Sequence, residues 1–254
     1  MSEDQTPAAR DLRYAAIRRS LLSAASQRIP LASVASQARA LTLWDGKQVR
    51  PADEMQLAAV FDLGVLDPVG DHGRAIERQA RAEPPLPGSE EDRMLRALGE
   101  ARFGLYRILG PRVEGGVSAE TFPDGTPLVI WDNHLTRNRA PGALVGLRLA
   151  FPDEDLAMTC GTAISLDSRA LERLLLGTPP QRGPVLPSLP RPEDGPALER
   201  LVAEPAARLR LAALAAAPGF AAKVTRTALD LGLMGPVLGR TPAELLPQGR
   251  AVTE

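Results

Sequence analysis

The sequence predicts an α+β protein, and three observations carry that expectation. Apolar residues recur at helical spacing from Pro7 to about Ala101. At Arg102 the period of the pattern changes from helical to alternating. Thr178 to Pro192 then holds six prolines, Pro179, Pro180, Pro184, Pro187, Pro190 and Pro192, ahead of a second helical stretch. The expected organisation is an N-terminal helical region over 1–101 and a small antiparallel β-domain plus helix over 102–177. A Pro-rich linker over 178–193 and a C-terminal helical segment over 194–254 complete it.

Taken in order, residues 6–28 read as a helix, with Thr6 as N-cap and Pro7 at the first helical position. Leu12, Ala15, Ala16 and Leu22 form its expected apolar face, and Pro30 ends it. A second helix, 31–43, carries Leu31, Val34, Ala35, Ala38 and Leu41 on one stripe, and Trp44-Asp-Gly breaks it. A third, 52–63, has Met55, Ala58, Ala59 and Leu63 facing inward. Helices over 74–82 and 90–101 follow. Ser89 caps the second of these, with Asp92 three residues on and Met94, Leu95 and Leu98 inward.

From Arg102 the alternation predicts strands. Phe103–Gly110 is apolar on both faces and therefore expected to be buried. Val113–Ala119 is a second strand, and Asp124-Gly125 marks a hairpin turn before Leu128–Trp131. Residues 143–151 and Leu156–Leu166 complete five short strands, the pattern of an antiparallel meander or partly open barrel. Asp167 or Ser168 caps a helix over 169–176 that ends at Gly177. Residues 195–234 are helical with breaks at Pro205 and Pro218-Gly219. Leu198, Leu201, Val202, Leu209, Leu211, Leu214, Val224 and Leu231 supply their apolar faces. Thr241-Pro-Ala-Glu244 opens a final short helix over 242–246.

Composition narrows the function classes. With 254 residues, 44% hydrophobic and 24% charged, the chain has ordinary globular make-up. Its single cysteine, Cys160, excludes an intramolecular disulfide framework and a multi-cysteine zinc site. The longest stretch without a charge, Leu211 to Ala222, is too short to span a bilayer. The acidic start Met-Ser-Glu-Asp does not read as a signal peptide, so the expected location is cytoplasmic. The net charge of −1 provides no global field to hold a polyanion. Of 30 basic residues 28 are arginine, with Lys47 and Lys223 the exceptions. Because these arginines are scattered and matched by acids, they read as compositional bias rather than phosphate recognition. Only residues 1–50 carry a local excess, eight basic residues against four acids.

Part of the chain resembles a known pattern. The stretches concerned are Phe61-Asp62, Arg93–Arg102, Phe103-Gly-Leu-Tyr-Arg-Ile-Leu-Gly110, Gly115-Gly-Val117, Asp132 ahead of Leu135-Thr-Arg137, and Pro141-Gly142 leading to Gly146-Leu-Arg-Leu149. On these, residues 57–166 resemble uncharacterised bacterial proteins that in some cases carry a C-terminal SEC-C zinc motif. The cysteine-rich motif is absent here, so the resemblance carries over no zinc, and it implies no activity. Residues 235–246 are also similar to a short segment in the toxin-binding domains of some bacterial antitoxins. Thr-Pro-x-Glu is explained there by first-turn helix chemistry alone.

Candidate chemistry is sparse. Asp132-Asn133-His134 with Arg137 and Arg139 is the densest polar cluster and lies in a loop, where it could bind an anion or place a general base. The plainer reading is a turn in which Asp132 and Asn133 bond their own backbone. Cys160 could serve as a nucleophile if His72 or His134 lay beside it, but a cysteine inside a strand is more often a small buried hydrophobe. Asp153-Glu154-Asp155 lacks the further oxygen ligands a hard cation needs. Gly110–Gly116 lacks the Lys-Ser/Thr and the helix of a phosphate loop. No catalytic residue, metal site or cofactor is therefore assigned. The leading expectation is a non-enzymatic interaction or adaptor module that binds another protein or its own copies. The first alternative is nucleic-acid binding through Arg13, Arg18 and Arg19 and the β-domain. The second is a hydrolase built on Cys160 or His134.

Overall fold

Nine helices and six strands make up the described residues of the computed structural model, which are 7–70, 73–132, 135, 141–177 and 194–234. Five helices come first: α1 (Pro7–Ser26), α2 (Leu31–Ala40), α3 (Glu54–Leu66), α4 (Ala75–Ala82) and α5 (Glu90–Glu100). The strands are β1 (Arg102–Pro111), β2 (Val117–Thr121), β3 (Pro127–Trp131), β4 (Leu144–Asp153), β5 (Leu156–Thr159) and β6 (Ile164–Leu166). Then come α6 (Ser168–Leu176), α7 (Asp194–Leu201), α8 (Pro205–Ala216) and α9 (Phe220–Asp230). The class is α+β, and winding gives way to pleating at Arg102. The caps explain several boundaries. The Ser89 side chain accepts from Asp92 N at 3.1 Å, Asp53 from Gln56 N at 2.8 Å, and Asp167 from Ala170 N at 3.0 Å. Gly177 closes α6 in the left-handed conformation at φ 67°. The short helix expected over 242–246 lies outside the described residues.

The strands close into a barrel. β1 pairs antiparallel with β2 and β4, β2 with β3, and β4 with β5, while β3 and β5 run parallel through Ile130↔Ala157 and Trp131↔Met158. Five strands cannot alternate direction all the way round a closed ring, so one neighbouring pair must be parallel. The expected single strand Leu156–Leu166 is two strands placed end to end along one edge of β4: β6 meets Leu144–Gly146 and β5 meets Leu149–Asp153. The break falls at Cys160–Ala163, where Thr162 turns to bond α3. β2 starts at Val117 because Arg112–Gly116 folds into a turn, with Gly115 N donating to Arg112 O at 3.2 Å. Gly116 sits there at φ 75°, and a Cβ on it would come 3.0 Å from the Ile130 carbonyl oxygen.

One face of every barrel strand supplies the interior, including Ile108, Val117, Ala119, Ile130, Val145, Leu147, Leu149 and Ala157. The outer face of β5, with Leu156 and Met158, packs on Tyr14, Val65, Met94 and Leu98 from α1, α3 and α5. A further cluster joins Ala59, Val60 and Leu63 of α3 to Leu171 and Leu174 of α6 and to Leu198, Leu211, Phe220 and Val224 of α7–α9. Phe103 of β1 meets Phe220 of α9 edge to face, with centroids 5.9 Å apart.

Several faces differ from expectation. β1 buries Leu105 and Ile108 but exposes Leu109, and the strand enclosed on both sides is β4. α1 turns Tyr14 inward (1% exposed) and leaves Leu12 outside (67%). The cause is polar. The Tyr14 hydroxyl accepts from Arg93 Nε at 2.8 Å and donates to Asp153 Oδ1 at 3.2 Å, pinning α1 to α5 and to the β4–β5 turn. Arg10 completes the clamp on Asp153 and Asp155, each at 3.0 Å from Nη1. On α2 Leu31 is exposed, and on α3 Met55 and Ala58 are exposed while Ala59 and Leu63 are buried. Leu209 of α8 is exposed, whereas Leu198, Val202, Leu211 and Val224 are buried.

Candidate functional site

Because β3 and β5 run parallel, their ends lie side by side, and Asp132 meets Thr159. Thr159 Oγ1 donates to Asp132 Oδ2, and Leu135 N donates to Asp132 Oδ1 at 3.3 Å. Arg18 of α1 donates to the Thr159 carbonyl. Asp11, two helical turns before Arg18, is buried beside them. Burial pushes the Asp11 carboxyl up and Asp132 adds to the rise, with Arg18 opposing both. Asp132 thus keeps the turn-bonding role of the plainer reading and gains a partner on the neighbouring strand as well. Asn133, His134, Arg137, Arg139 and His72 lie outside the described residues.

A second polar cluster carries no local sequence signal. Asp62 of α3 accepts from both the backbone nitrogen and Oγ1 of Thr162, at the break between β5 and β6. Its burial raises the Asp62 carboxyl above its ordinary range, while the Thr162 bonds and the charge of Arg148 pull it back. Arg148 pairs with Asp67 and donates to Ala101 O at 3.3 Å. Asp62, Arg148, Cys160, Thr162 and Thr225 line a cavity of about 20 Å³, which has room for one water and for no substrate. Cys160 is buried there and its thiol is pushed up to about 12 by burial, so it is not an available thiolate.

Of the three arginines of the nucleic-acid reading, two are engaged within the fold. Arg13 pairs with Glu90 at 3.3 Å, Arg18 holds Thr159, and Arg19 is exposed. Asp153 and Asp155 are held by Arg10. Among the described residues no group of three or more His, Cys, Asp or Glu side chains could hold a metal. Nor is any helix among them long and apolar enough to cross a membrane.

An open apolar face lies on the C-terminal helices. α8 has the sequence Pro-Ala-Ala-Arg-Leu-Arg-Leu-Ala-Ala-Leu-Ala-Ala and buries only Leu211. Leu209 (72% exposed), Ala212, Ala213 and Ala216 form an uncharged stripe at helical spacing on its outer side. Between α8, α6 and α7 runs a groove of about 220 Å³ whose apolar lining includes Leu175, Leu201, Ala206 and Ala207. Leu176, 66% exposed, stands at its edge. Glu172, Glu204 and Arg210 form the lips. The sequence pattern assigned Leu209 to an apolar face, but nothing local told that this face is open. Compared with protein-family models, with curated proteins and with solved structures, the chain matches none.

Proposed function

We propose that the chain is a non-enzymatic protein-interaction module whose contact face is α8 with the groove beside it. The carrying observation is that α8, apolar around most of its circumference, buries a single residue. A helix of that kind is normally enclosed, so its open apolar stripe is available to a partner. The polar clusters give less support to chemistry. Asp62 and Arg148 are satisfied within the fold, and the cavity beside them is too small for a substrate. The nucleic-acid alternative has less in its favour because Arg13 and Arg18 are held by Glu90 and Thr159. The hydrolase alternative meets a buried, protonated Cys160. The resemblance of residues 57–166 implies no activity and is compatible with this reading.

The test is photo-crosslinking in cells of the source organism, with a benzoylphenylalanine side chain at Leu209 and, as control, at Leu86, which is exposed before α5. One discrete heterologous adduct from position 209 and none from position 86 is expected. No adduct at 209, or equal adducts at both, would overturn the proposal.

A further inference from the structure

We infer that the α8 groove takes a partner segment whose apolar side chains are bracketed by basic residues. This rests on the reading of α8 as the contact face. The apolar lining, which includes Leu175, Leu201, Ala206 and Ala207, is aliphatic and calls for an aliphatic side chain. At about 220 Å³ the groove falls below the roughly 300–1,000 Å³ typical of pockets that hold whole small molecules. A side chain presented by a peptide fits it better. The lips supply the selectivity. Glu172 and Glu204 are exposed, and among the described residues neither forms an ion pair. Among the described residues Arg210 is the cation on the lips, and it donates to the Leu175 carbonyl at 3.2 Å. The neighbouring Arg208 donates to the Val202 carbonyl at 2.8 Å. Both guanidinium groups are thus drawn to helix-end carbonyls, while the two carboxylates remain for a partner's Lys or Arg.

A second copy of this chain is a poorer occupant. α8 is about 18 Å long and about 10 Å wide, so its face offers on the order of 180 Å². A stable dimer buries about 800 Å² on each side. A short segment entering a groove needs no such area.

The experiment uses the full chain and two fluorescein-labelled hexapeptides, Gly-Arg-Leu-Leu-Arg-Gly and Gly-Glu-Leu-Leu-Glu-Gly, titrated by fluorescence anisotropy at low salt. Two exposed charge pairs support a preference of about five-fold for the basic peptide. The Glu172→Gln/Glu204→Gln variant abolishes that preference, and Glu172→Lys/Glu204→Lys reverses it, with helicity checked by circular dichroism. Equal binding of both peptides, lost in Leu176→Asp at the groove edge, would overturn the charge rule and leave the contact face standing. Binding of neither peptide, while position 209 still crosslinks, would overturn this inference alone. Failure of the crosslink as well removes the reading beneath it. Binding seen only after residues 178–193 are replaced by a Gly-Ser spacer would assign the groove to the chain itself and overturn the partner. A concentration-dependent dimer that competes with the peptides would do the same in favour of a second copy.

Discussion

Leu209 and Leu211 stand two positions apart on one short helix and have opposite environments, 72% and 1% exposed. Substitutions at the two positions therefore have very different costs. Leu211 packs in the cluster that joins α8 to Leu198 of α7 and to Leu171 and Leu174 of α6. Leu211→Ala removes that contact and leaves a cavity, costing about 3 kcal/mol, near the lower part of the range for buried leucines. For a urea dependence of about 3 kcal/mol/M, at the upper end for small domains, the unfolding midpoint falls by about 1 M. Leu209→Gln replaces one good helix former with another on an open surface and changes stability by less than about 0.5 kcal/mol, a midpoint shift under about 0.2 M. Urea titration of both variants by circular dichroism makes the comparison. If Leu209→Gln lowers the midpoint as far as Leu211→Ala does, the outer face of α8 is covered in the isolated chain.

Three further outcomes test the rest of the fold. Asp62 and Asp11 both have carboxyls raised by burial, so their favourable contribution is complete below the unfolded value of about 3.9 and is lost as pH rises through the folded values. Asp62→Asn keeps an acceptor oxygen for Thr162 and is expected to flatten the fall in stability above pH 4; an unchanged pH profile in thermal melts would contradict it. Tyr14→Phe deletes the hydroxyl between Arg93 and Asp153 and should cost about 1–2 kcal/mol in urea unfolding, with no loss contradicting the clamp. Gly116→Ala meets both a positive φ and the Ile130 carbonyl, whereas Gly99 in α5 has open space around its Cα. The first is expected to destabilise by more than about 1 kcal/mol and Gly99→Ala to stabilise by about 0.5–1 kcal/mol, and equal melting shifts would sink the distinction.

How much of this was legible follows from the range over which each feature is encoded. Ser89, Asp167 and Gly177 act within four residues, so those helix boundaries could be read from local chemistry, whereas the Asp53 cap of α3 falls inside the helix expected over 52–63. The inward face of α1 could not, because leucine, alanine and arginine surround that helix and the deciding bonds reach Asp153, 139 residues from Tyr14. Barrel closure depends on the parallel pairing of Ile130 with Ala157, and the Asp62–Thr162 latch spans 100 residues. Neither leaves a periodic trace. Asp132 was visible as a polar turn residue, but its partner Thr159 becomes its neighbour only once β3 and β5 lie side by side. The α8 face is the converse case. Its apolar character is plain in the sequence, while its openness depends on where α6 and α7 stop covering it.

The central claim is that the outer face of α8 is open in the free chain and closed when its partner is bound. Hydroxyl-radical footprinting read by mass spectrometry measures this directly, on the chain alone and with the protein recovered from the position-209 crosslink. The account expects strong labelling of Leu209 and Leu176 in the free chain, with both falling several-fold in the complex and Leu86 unchanged. Weak labelling of Leu209 in the free chain, or labelling that the partner leaves untouched, would contradict it.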